Sequence, residues 1–391
     1  MDGIAYLLIL ALAAPVTILL VETVAAFLPD EENRENLPPS LEEMDCVVLI
    51  PAHNEEKVIG RTLSALEKAL GPSDRVLVVL DNCDDGTKEA VASHRVDFVE
   101  RKDPEKRGKG YALEFGFRSL KDSPPRALVV LDADCIPNEG FLVEIKKALV
   151  TRNRPVQALN LMKAPPGSPP LCRVSEFAWL FKCSIRQRGL ERLGLPCHLQ
   201  GTGMGFLWEH LEGVDLGGAE LAEDMKLGVE LAEKGRPACF HPKAEVVSYF
   251  PSRRESSKIQ RRRWEHGHLG LILRKVPAFL LKSLFSGDFR SCAFAMDMAV
   301  PPLAFLALLL GSALVAAGIL AATGDRGPIL AAAGETVLFS GTVILAWWKE
   351  GRKILTFKEL LATPIYIASK MGLYLGFFLG KETSWVRTDR E

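Results

Sequence analysis

Two aspartates flank a single alanine at Asp132-Ala133-Asp134, directly after the apolar run 128–131. In an extended segment residues i and i+2 project to one side, so the two carboxylates can converge on one cation. Oxygen donors of this hardness suit Mg²⁺ or Mn²⁺. A solvated turn carries the same tripeptide equally well; the position after an apolar run is what favours the metal. Upstream, 101–111 (RKDPEKRGKGY) sets five basic residues around two glycines. Such a stretch is either a solvated basic loop or a mobile one that approaches phosphates, with Lys109 as a point-charge donor. The pattern GxxxxGK[ST] is absent, which argues against an ATPase, and 201–205 (GTGMG) has no strand ahead of it to make a dinucleotide fingerprint. Glu223 and Asp224 open an apparent helix reaching about Lys234, where acids also suit the positive helix end. Residues 260–264 (QRRRW) follow Arg253 and Arg254, a composition that also fits a surface or lipid headgroups.

The elements that must position these residues alternate. Short β-branched runs at 46–50, 76–80, 97–99, 127–131 and 156–161 read as strands, and 56–70, 86–93, 110–120 and 138–150 as helices. Strands apolar throughout are covered on both faces, hence a parallel sheet between helices. Such sheets bind ligands at the carboxyl ends of their strands. Polar residues fall there: His53, Asn54 and Glu55 after the first run, Asp81 and Asn82 after the second, Asp132 and Asp134 after the fourth.

The 391 residues give room for two or three domains of roughly 150 residues each. With 48% hydrophobic and 25% charged residues the chain is neither disordered nor collagen-like. A formal charge of −1 offers no basic excess for nucleic acid. The eight cysteines are scattered, without a CxxC pair or zinc spacing, which fits reduced thiols facing a cytosol.

Long apolar runs lie at both ends of the chain. Residues 3–21 are uncharged, and the apolar character continues past Glu22 to Leu28. Only Asp2 precedes this run and the first basic residue is Arg34, so a retained anchor is favoured over a signal peptide. Residues 298–324 and 329–348 are long enough to span a hydrocarbon core and are joined through a tight link at 325–328. Lys349, Arg352, Lys353 and Lys358 follow at once, placing that end and the central block on the cytoplasmic side. The stretch 360–380 carries Pro364 and Lys370 and reads as a fourth span or an interfacial helix. Apolar positions 269, 272, 273, 276, 280 and 284, with Arg274, Lys275 and Lys282 among them, predict an amphipathic helix on the inner membrane face. Residues 172–195 have a similar basic and aromatic mix, which also fits contact with the membrane.

Taken in order, these clusters resemble the membrane-bound family-2 glycosyltransferases, the group of the cellulose, chitin and hyaluronan synthases. The resemblance covers about 48–264: Pro51 to Glu55 as the PxxNE-type start, Asp81 in DNCDDGT, Lys109 in GKGYAL, Asp132 and Asp134 as DxD, GTGM at 201–204, Glu223-Asp224 as ED, and Gln260, Arg263 and Trp264 as QxxRW. The tail 385–390 (WVRTDR) is similar to the end of some of these enzymes. Three or four spans are fewer than the polymer-secreting synthases usually carry.

The resemblance implies an α/β GT-A fold, a mainly parallel sheet between helices, with transmembrane and interfacial helices beside it. It divides the chain into an anchor at 3–28, a cytoplasmic transferase domain at 45–255, a QxxRW segment with interfacial helices at 256–292, a transmembrane hairpin at 293–349, and a further helix and basic tail at 350–391. It implies a UDP-sugar donor, inversion at the anomeric carbon, and Mg²⁺ or Mn²⁺ at Asp134 and Asp132. Glu55, Asp81, Lys109, Asp132 and Arg263 would hold the donor. Asp224, with Glu223, would act as general base, and Gln260, Trp264, Gly201 and Thr202 would line the acceptor side. The acceptor is a glycan or, as in the similar ceramide glucosyltransferases, a membrane lipid. The partners expected are membrane lipids and an export or polymerising subunit, and no nucleic acid. The expected setting is a bacterial-type cytoplasmic membrane with the catalytic domain facing inward. A non-catalytic nucleotide-binding subunit is disfavoured because the expected ligands and base are all present, and a transporter because the spans are few and the central block large.

Overall fold

The computed structural model describes all residues except 1, 30–43, 219–221, 252–253 and 381–391, with the backbone alone at 2–5, 8, 254–257 and 259. The WVRTDR tail therefore lies outside the described residues.

In chain order the elements are α1 (Asp2–Ala26), β1 (Cys46–Ala52), α2 (Ile59–Ala69), β2 (Asp74–Asp81), α3 (Thr87–Ala92), β3 (Asp97–Arg101), α4 (Lys109–Ser119), β4 (Ala127–Val130), β5 (Ile136–Pro137), α5 (Phe141–Arg152) and β6 (Val156–Lys163). There follow α6 (Pro170–Leu180), a π-turn (Phe181–Ile185), α7 (Arg186–Arg192), β7 (Met204–Leu207), α8 (Glu223–Glu233), β8 (Cys239–Tyr249) and α9 (Arg254–Arg274). The chain continues through α10 (Val276–Ser286), α11 (Phe289–Met298), α12 (Leu303–Ala322), α13 (Gly327–Lys349), α14 (Phe357–Leu361), α15 (Thr363–Ser369) and α16 (Met371–Phe378).

These elements fall into two compact units. The first is built on an eight-stranded sheet of order β3-β2-β1-β4-β7-β6-β8-β5. The strands β3, β2, β1 and β4 run parallel, as expected for runs buried on both faces. Alternation along β1 sends Cys46, Val48 and Ile50 into a core shared with α2, α3 and α5, and Val47 and Leu49 into a second core shared with α4 and α8. The sheet is mixed rather than purely parallel: β7 runs antiparallel to both β4 and β6, and β5 antiparallel to β8. A buried ion pair between Lys146 and Asp74 ties α5 to the start of β2.

The second unit gathers α1, Pro166–Leu195 and the helices from His268 onward. Residues 166–195 thus leave the expected transferase block and pack with the apolar helices. Among the described residues, three helices are long and apolar enough to cross a membrane: Ile9–Ala26 within α1, α12 and α13. Val16 and Leu19 of α1 pack with Phe177 and Phe181, with Leu306 and Leu310 of α12, and with Ala346 of α13. The backbones of α1 and α7 touch directly, because a Cβ on Gly189 would stand 2.1 Å from the Glu22 carbonyl oxygen. Arg186 is buried: its Nε donates to Glu22 Oε2 at 2.7 Å and its Nη2 to Asp297. The helix expected over 269–285 is broken, since α9 ends at Arg274 and α10 begins with Pro277 in its first turn. The apolar stretch 360–380 forms the short α15 and α16 and the end of α14, none of which has the length of a span.

Candidate active site

Three strand ends build the floor of the site. Register pairs Ala52 of β1 with Leu80 of β2, and Val130 at the end of β4 with Met204 at the start of β7. The segment before β7 therefore comes to the same end of the sheet as the DxD pair. There Lys109, the first residue of α4, makes an ion pair with Asp132 and donates through Nζ to the Gly201 carbonyl at 2.6 Å. The Asp132 backbone N–H donates to Thr202 Oγ1 at 3.1 Å. Gly201 has φ +82°, a conformation that costs a residue with a Cβ, and a Cβ there would stand 3.3 Å from Lys109 Nζ and 3.5 Å from Asp224 Oδ2. One loop thus touches the lysine, the DxD and the first turn of α8.

Charge in this cluster is concentrated. Burial works against the Lys109 ammonium, but Asp132, Glu223 and Asp224 outweigh it, and the lysine is held above its ordinary value. Glu223 is pushed up to about 7, first by burial and then by the charge of Asp224, with Lys109 opposing. At neutral pH Glu223 is therefore shared between its acid and carboxylate forms. Asp224 Oδ1 accepts the Met225 N–H at 2.8 Å at the start of α8. A small cavity beside these acids is lined by Leu113, Met204 and Asp215 as well as by Glu223 and Asp224.

Asp132 and Asp134, both half-buried, bring carboxylate oxygens within 4.8 Å of one another and of the buried Cys135 sulfur. Two hard oxygens converging from i and i+2 fit a divalent cation such as Mg²⁺ or Mn²⁺. One oxygen of Asp132 is engaged by Lys109, so a cation there would share this carboxylate with the lysine.

At the ends of β1 to β3 lies a second cluster. Asp81 Oδ1 accepts from Arg101 Nη1 at 2.6 Å and from Asn82 Nδ2 at 2.9 Å. Burial raises the Asp81 carboxyl above the usual aspartate value against the pull of Arg101. His53 Nδ1 donates to the Asp81 carbonyl at 2.6 Å, since a carbonyl can only accept. Glu55 is half-buried, and its N–H donates to Thr87 Oγ1 at 2.7 Å. Arg101, expected as part of a phosphate-approaching loop, is the last residue of β3, buried against Asp81 and Asp103 and stacked over Tyr111. Of the five basic residues in that stretch, Lys109 is the one joined to the DxD.

Gln260, Arg263 and Trp264 lie within two turns of α9, Gln260 buried and the other two half-buried. Gln260 Oε1 and both polar ends of the Gln200 side chain are shielded from solvent and have no hydrogen-bond partner among the described residues. Groups of this kind call for a ligand or an ordered water.

Sequence reasoning missed Gln157. It is fully buried in β6, and its side chain grips the loop before β7. Oε1 accepts the Gln200 N–H at 2.8 Å, and Nε2 donates to the Thr202 and Ala158 carbonyls, each at 2.9 Å. A polar residue directly after the first residue of a largely apolar strand was the available signal.

The description "Glycosyltransferase like family 2" matches residues 45–267, more than half of the chain and covering every residue named above. The chain is 30% identical over 269 residues to the probable glycosyltransferase YdaM of Bacillus subtilis (strain 168), covering 63% of this chain and 59% of that protein. It is 26% identical over 243 residues to the probable glucomannan 4-beta-mannosyltransferase 15 of Arabidopsis thaliana, covering 58% of this chain and 44% of that protein. The chain thus spans about half the length of these curated relatives. Among solved structures, a mannosyltransferase from Pyrobaculum calidifontis in complex with GDP-Man and Mn²⁺ shares the fold at a TM-score of 0.58 and 20% identity, over 97% of this chain and 99% of that one. The sheet is thus of the GT-A kind, and the chain belongs to the glycosyltransferase-like family 2.

Proposed function

We propose that this chain moves a sugar from a UDP-sugar, with inversion at the anomeric carbon, onto a glycan acceptor at the inner face of a bacterial-type cytoplasmic membrane. The product belongs to exopolysaccharide or cell-surface glycan. The observation that carries this reading is the junction of Lys109, Asp132 and Asp224 at one glycine, Gly201.

In the proposed reaction Asp81 and Glu55 bind the nucleoside, while Lys109 and Arg263 bind the diphosphate. Mg²⁺ or Mn²⁺ is held by Asp134 and Asp132; the chemistry supplied there by the bound ion is stabilisation of negative charge on the departing diphosphate. Asp224 takes the proton of the acceptor hydroxyl at its carboxylate, opposite the leaving group. Glu223, raised by burial and by the charge of Asp224, stands beside that base. Gly201, Thr202, Gln260 and Trp264 orient the acceptor, Trp264 by offering a flat face to a sugar ring.

Lys349 with Arg352, Lys353 and Lys358 after α13 supports a cytoplasmic position for that end and, two crossings earlier, for the transferase domain. A membrane-lipid acceptor is the second reading. It is favoured by the count of three long apolar helices among the described residues, few for a secretion channel within one chain.

The deciding experiment is nucleoside diphosphate release by the detergent-solubilised chain across a panel of UDP-sugars and GDP-mannose, with and without Mn²⁺ or Mg²⁺. Metal-dependent UDP release supports the reading. Release from GDP-mannose alone would replace the donor, and the absence of release from any donor would remove the enzyme. Organic-extractable product favours the lipid acceptor, high-mass product the glycan.

A further inference from the structure

Two carboxylates lie within the three long apolar helices, Glu22 in α1 and Glu335 in α13, and no basic residue lies there ahead of Lys349 at the end of α13. A carboxylate inside a hydrocarbon core is costly unless it is paired. Glu22 is paired, since the Nε of Arg186 donates to its Oε2 at 2.7 Å. No such group meets Glu335: its Oε2 is shielded from solvent and has no hydrogen-bond partner among the described residues. The hydroxyls nearby in α13 are engaged within the helix. Thr336 Oγ1 donates to the Ala332 carbonyl and Thr342 Oγ1 to the Leu338 carbonyl, each at 2.8 Å.

Glu335 stands eight residues after Gly327 and 14 before Lys349, about 12 Å and 21 Å along the helix axis. Both distances place it inside a core of ~30 Å rather than among headgroups. Ala332, Thr342 and Ala346 mark the buried face of α13. Ala331 and Leu338, four residues before Glu335 and three after, share its side of the helix and are exposed. Glu335, itself half-buried, therefore borders the outer face. That face has room: a Cβ on Gly334 or Gly341 would meet nothing within 4 Å, which lets a second helix approach closely.

We infer that this face of α13 seats a transmembrane helix of another membrane protein, one that carries a lysine or arginine level with Glu335. Charge decides between the occupants. Acyl chains bring no donor to this depth, and a second copy of this chain brings another Glu335 but no basic residue within its long apolar helices. A cationic side chain gives Glu335 what Arg186 gives Glu22. The inference rests on the long helices being spans. It gives the expected partner subunit a seat and a chemistry, and it is independent of the transferase reaction.

The test uses the full chain in phosphatidylcholine liposomes and a leucine–alanine transmembrane peptide with a single lysine level with Glu335. A dansyl group on the peptide end beside Trp347 and Trp348 reports association by energy transfer from tryptophan. The lysine peptide is expected to associate at roughly tenfold lower density in the lipid than the same peptide with leucine in place of lysine. Glu335→Leu removes this difference, and Glu335→Gln, which keeps the shape without the charge, reduces it. Equal association of the two peptides, or a preference that survives Glu335→Leu, overturns the inference. A preference undiminished in Glu335→Gln overturns the ionic pairing. Self-association of the wild type that Glu335→Leu loses, read by chemical crosslinking in the same liposomes, assigns the face to a second copy and overturns the inference as well. Thermal unfolding of each variant reports its fold, and nucleoside diphosphate release is measured on the same samples, so a failed transferase reading shows separately.

Discussion

Lys109 and Asp132 are 23 residues apart in sequence and form an ion pair that joins the first residue of α4 to the segment after β4. The same ammonium donates to the carbonyl of Gly201, which comes from a third segment. The lysine thus holds one DxD carboxylate and the loop before β7 at once. In a partly desolvated site, unit charges ~4 Å apart interact by roughly 4 kcal/mol at an effective dielectric near 20, more than a neutral hydrogen bond contributes.

Lys109→Met separates two effects. Without the ammonium Asp132 is released, so divalent-ion affinity of the nucleotide-free protein is expected to rise. Donor turnover is expected to fall by roughly 10²–10³-fold, because a fixed positive charge on the diphosphate is lost. Mn²⁺ titration by paramagnetic resonance, read beside turnover, checks the pair of signs.

Gln157→Leu leaves the Gln200 N–H and the Thr202 and Ala158 carbonyls without their side-chain partner. A loss of about 2–4 kcal/mol in unfolding free energy is expected. Gln157→Glu keeps one acceptor but loses both donors and is expected to be no better. If the residue positions the loop, the acceptor KM rises in a folded variant at low temperature while donor affinity holds. Equal stability and kinetics to wild type would show that the loop holds itself.

The parallel half of the sheet was legible because β1, β2 and β4 each hold an unbroken apolar run with a polar residue at or soon after its end, His53, Asp81 and Asp132. The antiparallel half was not. β7 is four residues beginning Met204-Gly205, and β8 carries Pro242, Lys243 and Glu245 across a register shift against β6, so neither shows a clean period. The acids of the site were visible as types at strand and helix ends. Their partners were not, because Arg101 and Gln157 gain their roles from strand neighbours distant in sequence. The partners of Arg186 were hidden in the same way, because Glu22 and Asp297 each lie more than 100 residues away in sequence.

Glu223→Gln tests the burden of the buried acid. Its folded pKa of about 7 stands above the ordinary 4.5, so the folded state holds the proton longer than the unfolded chain. The resulting cost is absent below pH 4.5, grows as pH rises, and is complete above about 7. Removing the charge is expected to stabilise the protein at pH 8 by at most about 3 kcal/mol, and the gain should vanish toward pH 4.5. Thermal unfolding in detergent at both ends of this range gives the sign. A variant destabilised at pH 8 would show that the carboxylate is satisfied in the fold.

The central claim is that Asp224 activates an acceptor beside a bound sugar nucleotide. Its direct test is Asp224→Asn, measured for donor affinity by calorimetry and for nucleoside diphosphate release with acceptor present. Release should fall by roughly 10²–10⁴-fold, the range for loss of a general base, with donor affinity within a factor of about three of wild type. Full turnover by the asparagine variant, or loss of donor binding in step with loss of turnover, would contradict the account.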